Sequence, residues 1–137
     1  MTYPQSLVDL IADFQAIPDK RERLEMVFEL ASEVNELAQE EWSDLTRVRG
    51  CQSEAHVKVT LENGRVNFQS AADAKLVQGL MGILTIALEG MSAVDALTLD
   101  PNFAEEMGLL NTLTPSRSNG FRNMFDKVMS EIRQQME

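Results

Sequence analysis

Apolar residues recur at helical spacing near the start of the chain. Leu7, Leu10, Ile11 and Phe14 share one face and predict a first helix that ends near Pro18. A second stripe, Leu24, Val27, Phe28, Ala31, Val34, Leu37 and Ala38, predicts one continuous helix that begins near Asp19 and packs by a single face. From Glu54 the period changes to two. Ala55, Val57, Val59 and Leu61 alternate with His56, Lys58, Thr60 and Glu62, the pattern of a half-buried strand with His56 on its wet face. Asn63-Gly64 follows, a dipeptide suited to a two-residue type I′ turn because both positions need positive φ. Such a turn opposes Leu61 to Val66 and Val59 to Phe68 on the buried side, and Glu62 to Arg65 on the wet side. Upstream, Leu45 to Val48 predicts a third antiparallel strand, which makes Gly50 to Ser53 a strand-to-strand turn with Cys51 at its tip.

After the hairpin, Asp73 reads as the N-cap of a helix that is apolar almost all round, through Leu76, Val77, Leu80, Met81, Ile83, Leu84, Ala87 and Leu88, with Gly90 past its end. Such a helix is central and buried. Ser92 to Asp95 reads as a capping box, Asp100-Pro101 as a further helix start and Gly108 as a stop. A last amphipathic helix runs from about Ser118 through Phe121, Met124, Val128 and Ile132. The fold class expected is α+β, a small three-stranded antiparallel sheet covered on one face by N-terminal and C-terminal helices. A single domain spanning 1–137 suits that length.

Composition narrows the function. Hydrophobic residues make up 44% and charged residues 25%, the balance of a globular domain. No apolar run reaches the roughly 18 residues of a membrane span, and the N-terminus lacks the features of a signal peptide, so no membrane partner and a cytoplasmic location are expected, or an organelle stroma after processing. The formal charge of −10 speaks against nucleic acid, whose binders concentrate Lys and Arg. Glu33, Glu36, Glu40 and Glu41 read as the solvated face of the second helix rather than a docking patch.

Cys51 is the only cysteine. One thiol can neither close an internal disulfide nor scaffold an iron–sulfur cluster, which usually needs about four thiolates. It can act as a nucleophile, carry a group covalently, or bond to a partner's sulfur. Free cysteines are often buried as small hydrophobes, but a loop tip presents its sulfur instead.

Three segments carry a resemblance: Arg49-Gly50-Cys51-Gln52-Ser53, then Asp73 through Leu80, then Leu113-Thr114-Pro115-Ser116-Arg117-Ser118-Asn119-Gly120. In order and spacing they resemble the signature segments of the SufE family of sulfur acceptor proteins, over nearly the whole chain. The resemblance implies a SufE/IscU-like α+β fold. It also implies that Cys51 accepts persulfide sulfur from a pyridoxal-phosphate cysteine desulfurase, stimulates that enzyme, and passes the sulfur to an iron–sulfur scaffold complex. No bound cofactor or metal is implied, only a transient cysteine persulfide on Cys51. Arg49, Gly50, Gln52, Ser53, Asp73, Arg117 and Ser118 are implied to shape the cysteine loop and its docking to partners. Arg117, near a helix start where a cation is poorly placed, reads as a group that favours thiolate or persulfide.

The chain departs from the family in places. Ala55 and His56 follow Glu54 where the family often has a small apolar residue and a tryptophan, and a family proline is absent around Asn35 to Leu37. Two other functions compete. A Cys-His hydrolase or transferase would use His56 as base for Cys51, and its loss would cost about 10²-fold or more, against less than about tenfold for a solvated histidine. A non-covalent adaptor with an inert cysteine would be indifferent to Cys51→Ser. A carrier also gains by keeping its persulfide from passing thiols, so the Cys51 loop is expected to fold against the apolar edge of the sheet and nearby helices at rest and swing outward on docking, with Gly50 supplying backbone freedom.

Overall fold

The computed structural model describes residues 3–136. Helix α1 (Gln5–Gln15) buries Leu7, Leu10, Ile11 and Phe14, the four residues whose spacing predicts it. Helix α2 (Lys20–Glu29) starts at Asp19, whose side chain accepts from the Arg21 N–H at 3.2 Å. It does not continue to Ala38. The chain tightens into a 3₁₀ turn over Leu30–Glu33 and is extended at Val34. Two contacts account for the break. Gly79 and Gly82 lie under the Val27 and Leu30 carbonyls, where a Cβ at either position would collide with backbone, so this stretch is pressed onto the helix beneath it. Asn35 and Leu37 then pair with Ser70, the Asn35 carbonyl accepting from Ser70 N and Leu37 N donating to the Ser70 carbonyl, both at 3.0 Å. Helical spacing thus survived in a segment whose backbone partner is a strand edge.

Strands β1 (Ala55–Glu62) and β2 (Arg65–Ala72) form the antiparallel hairpin in the expected register, Leu61 opposite Val66, Val59 opposite Phe68 and Glu62 opposite Arg65. Asn63 and Gly64 take φ of 53° and 76°, as a type I′ turn requires. Among the described residues the sheet has two strands, not three. The Leu45–Val48 segment contributes only an isolated bridge between Arg47 and His56, with Val57 N donating to the Thr46 carbonyl and Val48 N to the Ala55 carbonyl. The reason is local. Thr46 and Arg47 both donate their N–H groups back to the Ser43 carbonyl, so the chain curls until Thr46, and Leu45 is left 86% exposed.

Helix α3 (Lys75–Leu88) packs on β2, and helix α7 (Pro115–Met136) packs on β1. The N-terminal helices α1 and α2 lie against α3. Val57, Val59, Val66 and Phe68 from the sheet meet Leu80, Met81, Leu84, Met124 and Val128 in one core. Between α3 and α7 run three one-turn helices, α4 (Ala93–Ala96), α5 (Phe103–Glu106) and α6 (Leu109–Thr112). Ser92 caps α4 by accepting from Asp95 N, and Gly108 enters α6 at φ 78°.

Helix α7 starts at Pro115, earlier than Ser118. Thr114 is its cap, with Oγ1 accepting from Arg117 N at 3.3 Å, and proline suits a first helical position because its missing N–H has no partner there. Asp73, read from sequence as the cap of α3, is not one; Ala74 precedes that helix and offers no side-chain cap. Glu33, Glu36, Glu40 and Glu41 are exposed but do not share a helix face, since the helix ends before them.

Candidate functional site

The loop carrying Cys51 runs from Arg49 to Ser53, between the bridged segment at Val48 and the start of β1, and is held at both legs. Gly50 adopts φ 77°, and a Cβ there would meet the Asn123 side chain of α7. The same Asn123 donates from Nδ2 to the Gly50 carbonyl at 3.3 Å. On the other leg, Arg117 donates from Nη1 to the Ser53 hydroxyl at 2.8 Å. Asp73, turned away from α3, accepts from Glu54 N through Oδ1 at 3.1 Å and donates its own N–H to the Glu54 carbonyl at 3.1 Å. The carboxylate predicted as a helix cap therefore closes the end of the cysteine loop.

The Cys51 sulfur is not held out into solvent, as a simple loop tip would hold it. The residue is half-buried and packs against the core, with Sγ 3.5 Å from where a Cβ on Gly120 would lie. The small cavity beside it measures about 10 Å³ and is lined by Val77, Leu80, Gly120, Phe121, Met124 and Arg117. That is the lower limit for a single water-sized atom. The half-buried sulfur thus borders a cavity whose walls are apolar apart from Arg117 and Ser116.

Among the residues singled out from sequence, Gly50, Ser53, Asp73 and Arg117 come together around Cys51. Arg49 and Gln52 are exposed on the loop, free of that packing. Ser118 is not at the sulfur; it lines a separate shallow cleft with Pro101 and Phe125, while Ser116 lines the cysteine cavity. Gly120 and Asn123 were missed as site residues. Only the i, i+3 and i+6 spacing of Arg117, Gly120 and Asn123 on one face of α7 signals them, and that face is defined only once the helix start is known.

His56 is corrected most. It is 1% exposed instead of solvated, stacked on Trp42 with ring centroids 4.6 Å apart. Its Nδ1 lies 2.7 Å from Thr46 Oγ1 and its Nε2 2.6 Å from Glu54 Oε2. Alternation along a strand identifies two faces but not what covers the second one. Here the irregular segment after α2 folds over it, and Trp42 anchors that cover by donating from Nε1 to the Leu37 carbonyl. With both ring nitrogens engaged, His56 has none to offer Cys51 as a base. Among the described residues no three His, Cys, Asp or Glu side chains gather as a metal site, and no helix is long and apolar enough to cross a membrane.

Comparison with known proteins places residues 8–132 within the SufE Fe-S metabolism associated domain. An uncharacterized SufE-like protein of Synechocystis sp. is 33% identical over 130 residues, covering 95% of this chain and 82% of the relative. The SufE-like protein 1 of Arabidopsis thaliana, chloroplastic/mitochondrial, is 28% identical over 129 residues, which span 93% of this chain and 34% of that longer protein. The solution structure of a hypothetical protein from Thermus thermophilus superposes with a TM-score of 0.84 at 26% identity, covering 98% of each chain.

Proposed function

The chain belongs to the SufE family of Fe-S metabolism associated domains, and on that premise we propose that it is a sulfur carrier whose Cys51 accepts persulfide sulfur from a cysteine desulfurase. One observation carries the reading: the only thiol of the chain borders a small, mostly apolar cavity, on a loop whose legs are latched by side-chain hydrogen bonds from Arg117 and Asn123. A structural cysteine has no use for such a mount.

In the transfer, the Cys51 thiolate attacks the outer sulfur of the donor persulfide. A new bond forms between Cys51 Sγ and that sulfur as the donor's S–S bond breaks. The electron pair departs on the donor cysteine as thiolate, and the proton of the outer sulfur stays with the new persulfide or exchanges with water. No oxidant or reductant is consumed, so one thiol is enough. The chain supplies no catalytic turnover of its own in this reading; it removes the desulfurase's product and so stimulates that pyridoxal-phosphate enzyme. Delivery to an iron–sulfur scaffold complex repeats the exchange with Cys51 as the donor. The setting is the cytoplasm or an organelle stroma, where free thiols persist.

The geometry at His56 weighs against the Cys-His hydrolase reading, since Thr46 and Glu54 occupy its two nitrogens. The test is stimulation. Cysteine turnover by a partner desulfurase is expected to rise on adding the wild-type chain and to stay at its basal rate with Cys51→Ser. Full stimulation by that variant would leave only the adaptor reading.

A further inference from the structure

An ionic group brackets the Cys51 loop. Arg47 precedes the loop, and Glu54 and His56 follow it. Arg47 Nη2 lies 2.8 Å and His56 Nε2 2.6 Å from one and the same atom, Glu54 Oε2. The histidine side chain is only 2% exposed, while Arg47 and Glu54 keep 41% and 32% of their side-chain surface. A buried polar ring is costly unless all its hydrogen bonds are made, and here they are. The neutral ring donates from Nε2 to Glu54 and accepts the Thr46 hydroxyl at Nδ1. The protonated ring donates from both nitrogens, and the Thr46 hydroxyl proton then turns to the Ser43 carbonyl 3.1 Å away. The contact with Glu54 is retained in either state.

Glu54 is consequently held at four points, its N–H and carbonyl by Asp73 and its carboxylate by Arg47 and His56. It is also the residue directly after the loop. An apolar side chain at position 56 would cover the sheet and stack on Trp42 equally well, so packing alone does not account for an imidazole there. We infer that His56 is a positioning residue: bonded to Thr46 before the loop and, beside Arg47, to the Glu54 carboxylate after it, it ties the two legs of the Cys51 loop together and keeps the sulfur seated against Gly120. The inference deepens the sulfur-carrier reading and rests on it for the meaning of a seated sulfur. It does not need a desulfurase to be tested.

Iodoacetamide alkylation of the free, folded protein reports on Cys51 alone, because the chain has no other cysteine. His56→Phe keeps a flat ring on Trp42 but has no donor, and His56→Gln restores a side-chain N–H toward Glu54. The Phe variant is expected to alkylate about tenfold faster than wild type, the loss of the charge-assisted hydrogen bond to Glu54 together with the one to Thr46 converted to an opening equilibrium, and the Gln variant to recover most of the difference. Arg47→Met, which removes the more exposed of the two donors to Glu54, is expected to accelerate alkylation by a smaller factor. Thermal melts run alongside separate this role from general destabilisation, which would make the rates follow melting temperature instead of the presence of a donor. Wild-type rates in His56→Phe, or equal rates in the Phe and Gln variants, overturn the inference. If His56→Phe does not fold, Glu54→Ala and Arg47→Met decide, and wild-type alkylation in both overturns it. A failure of the carrier reading shows separately, as absence of sulfur uptake by the unaltered protein, whatever these ratios are.

Discussion

Arg117 reaches from the first turn of α7 to the Ser53 hydroxyl at 2.8 Å, two residues beyond Cys51. A helix N-terminus is an unfavourable place for a cation, so the position is better explained by what the guanidinium touches than by the helix. Arg117→Ala removes the latch on one leg of the loop and one wall of the cavity beside the sulfur. Iodoacetamide should then modify Cys51 several-fold faster in the free protein, with little change in melting temperature, since a part-exposed hydrogen bond contributes about 1 kcal/mol. An unchanged rate would remove Arg117 from the latch.

Gly82 lies where Leu30, just past the end of α2, meets α3. A Cβ at position 82 would drive into the Leu30 carbonyl oxygen, and backbone cannot step aside as a flexible side chain does. Gly82→Ala is expected to cost about 3 kcal/mol despite alanine's better helix propensity, because overpacking against backbone outweighs it. Urea denaturation checks this, and a variant as stable as wild type would mean that the two segments do not sit so close.

Much of this architecture was legible in the sequence. The β1–β2 hairpin follows from strict alternation and an Asn-Gly turn, two local signals that agree, and its register is found residue for residue. The lone cysteine and its glycine turn were equally plain. The α2 stripe misled because Val34 and Leu37 keep helical spacing while the backbone of Asn35 and Leu37 pairs with Ser70, a choice made by tertiary contact. Asp73 misled similarly, since a carboxylate before an apolar run caps a helix unless a nearer N–H, here that of Glu54, takes it. The burial of His56 had no signal in β1 at all. It depends on Trp42, in a segment without periodicity.

Docking should open what rest keeps closed. Alkylation of Cys51 is expected to be slow in the free protein and faster in complex with a desulfurase whose own acceptor cysteine is replaced. A free-protein rate equal to that of an unfolded peptide would mean that the loop is never sheltered.

Tyr3 provides a pH test far from the cysteine. Burial, the hydrogen bond it donates to Glu106 at 2.6 Å, and the charges of Glu106 and Asp100 push its phenol up from 10.0 to about 12. The folded state therefore holds this proton more tightly than the unfolded chain. The resulting stability is complete below pH ~10 and is lost as pH rises through about 12. Tyr3 is the only tyrosine, so phenolate absorbance reads it alone and should show a midpoint near 12 that falls in Glu106→Gln. A midpoint near the ordinary value in the folded protein would contradict the contact with Glu106.

The most direct test of the sulfur-carrier account is the intact mass of the protein after incubation with a cysteine desulfurase, its cofactor and cysteine. The account predicts a gain of one sulfur atom, removed by a thiol reductant and absent in Cys51→Ser. No added sulfur on the wild-type chain, or the same addition on the Cys51→Ser variant, would contradict it.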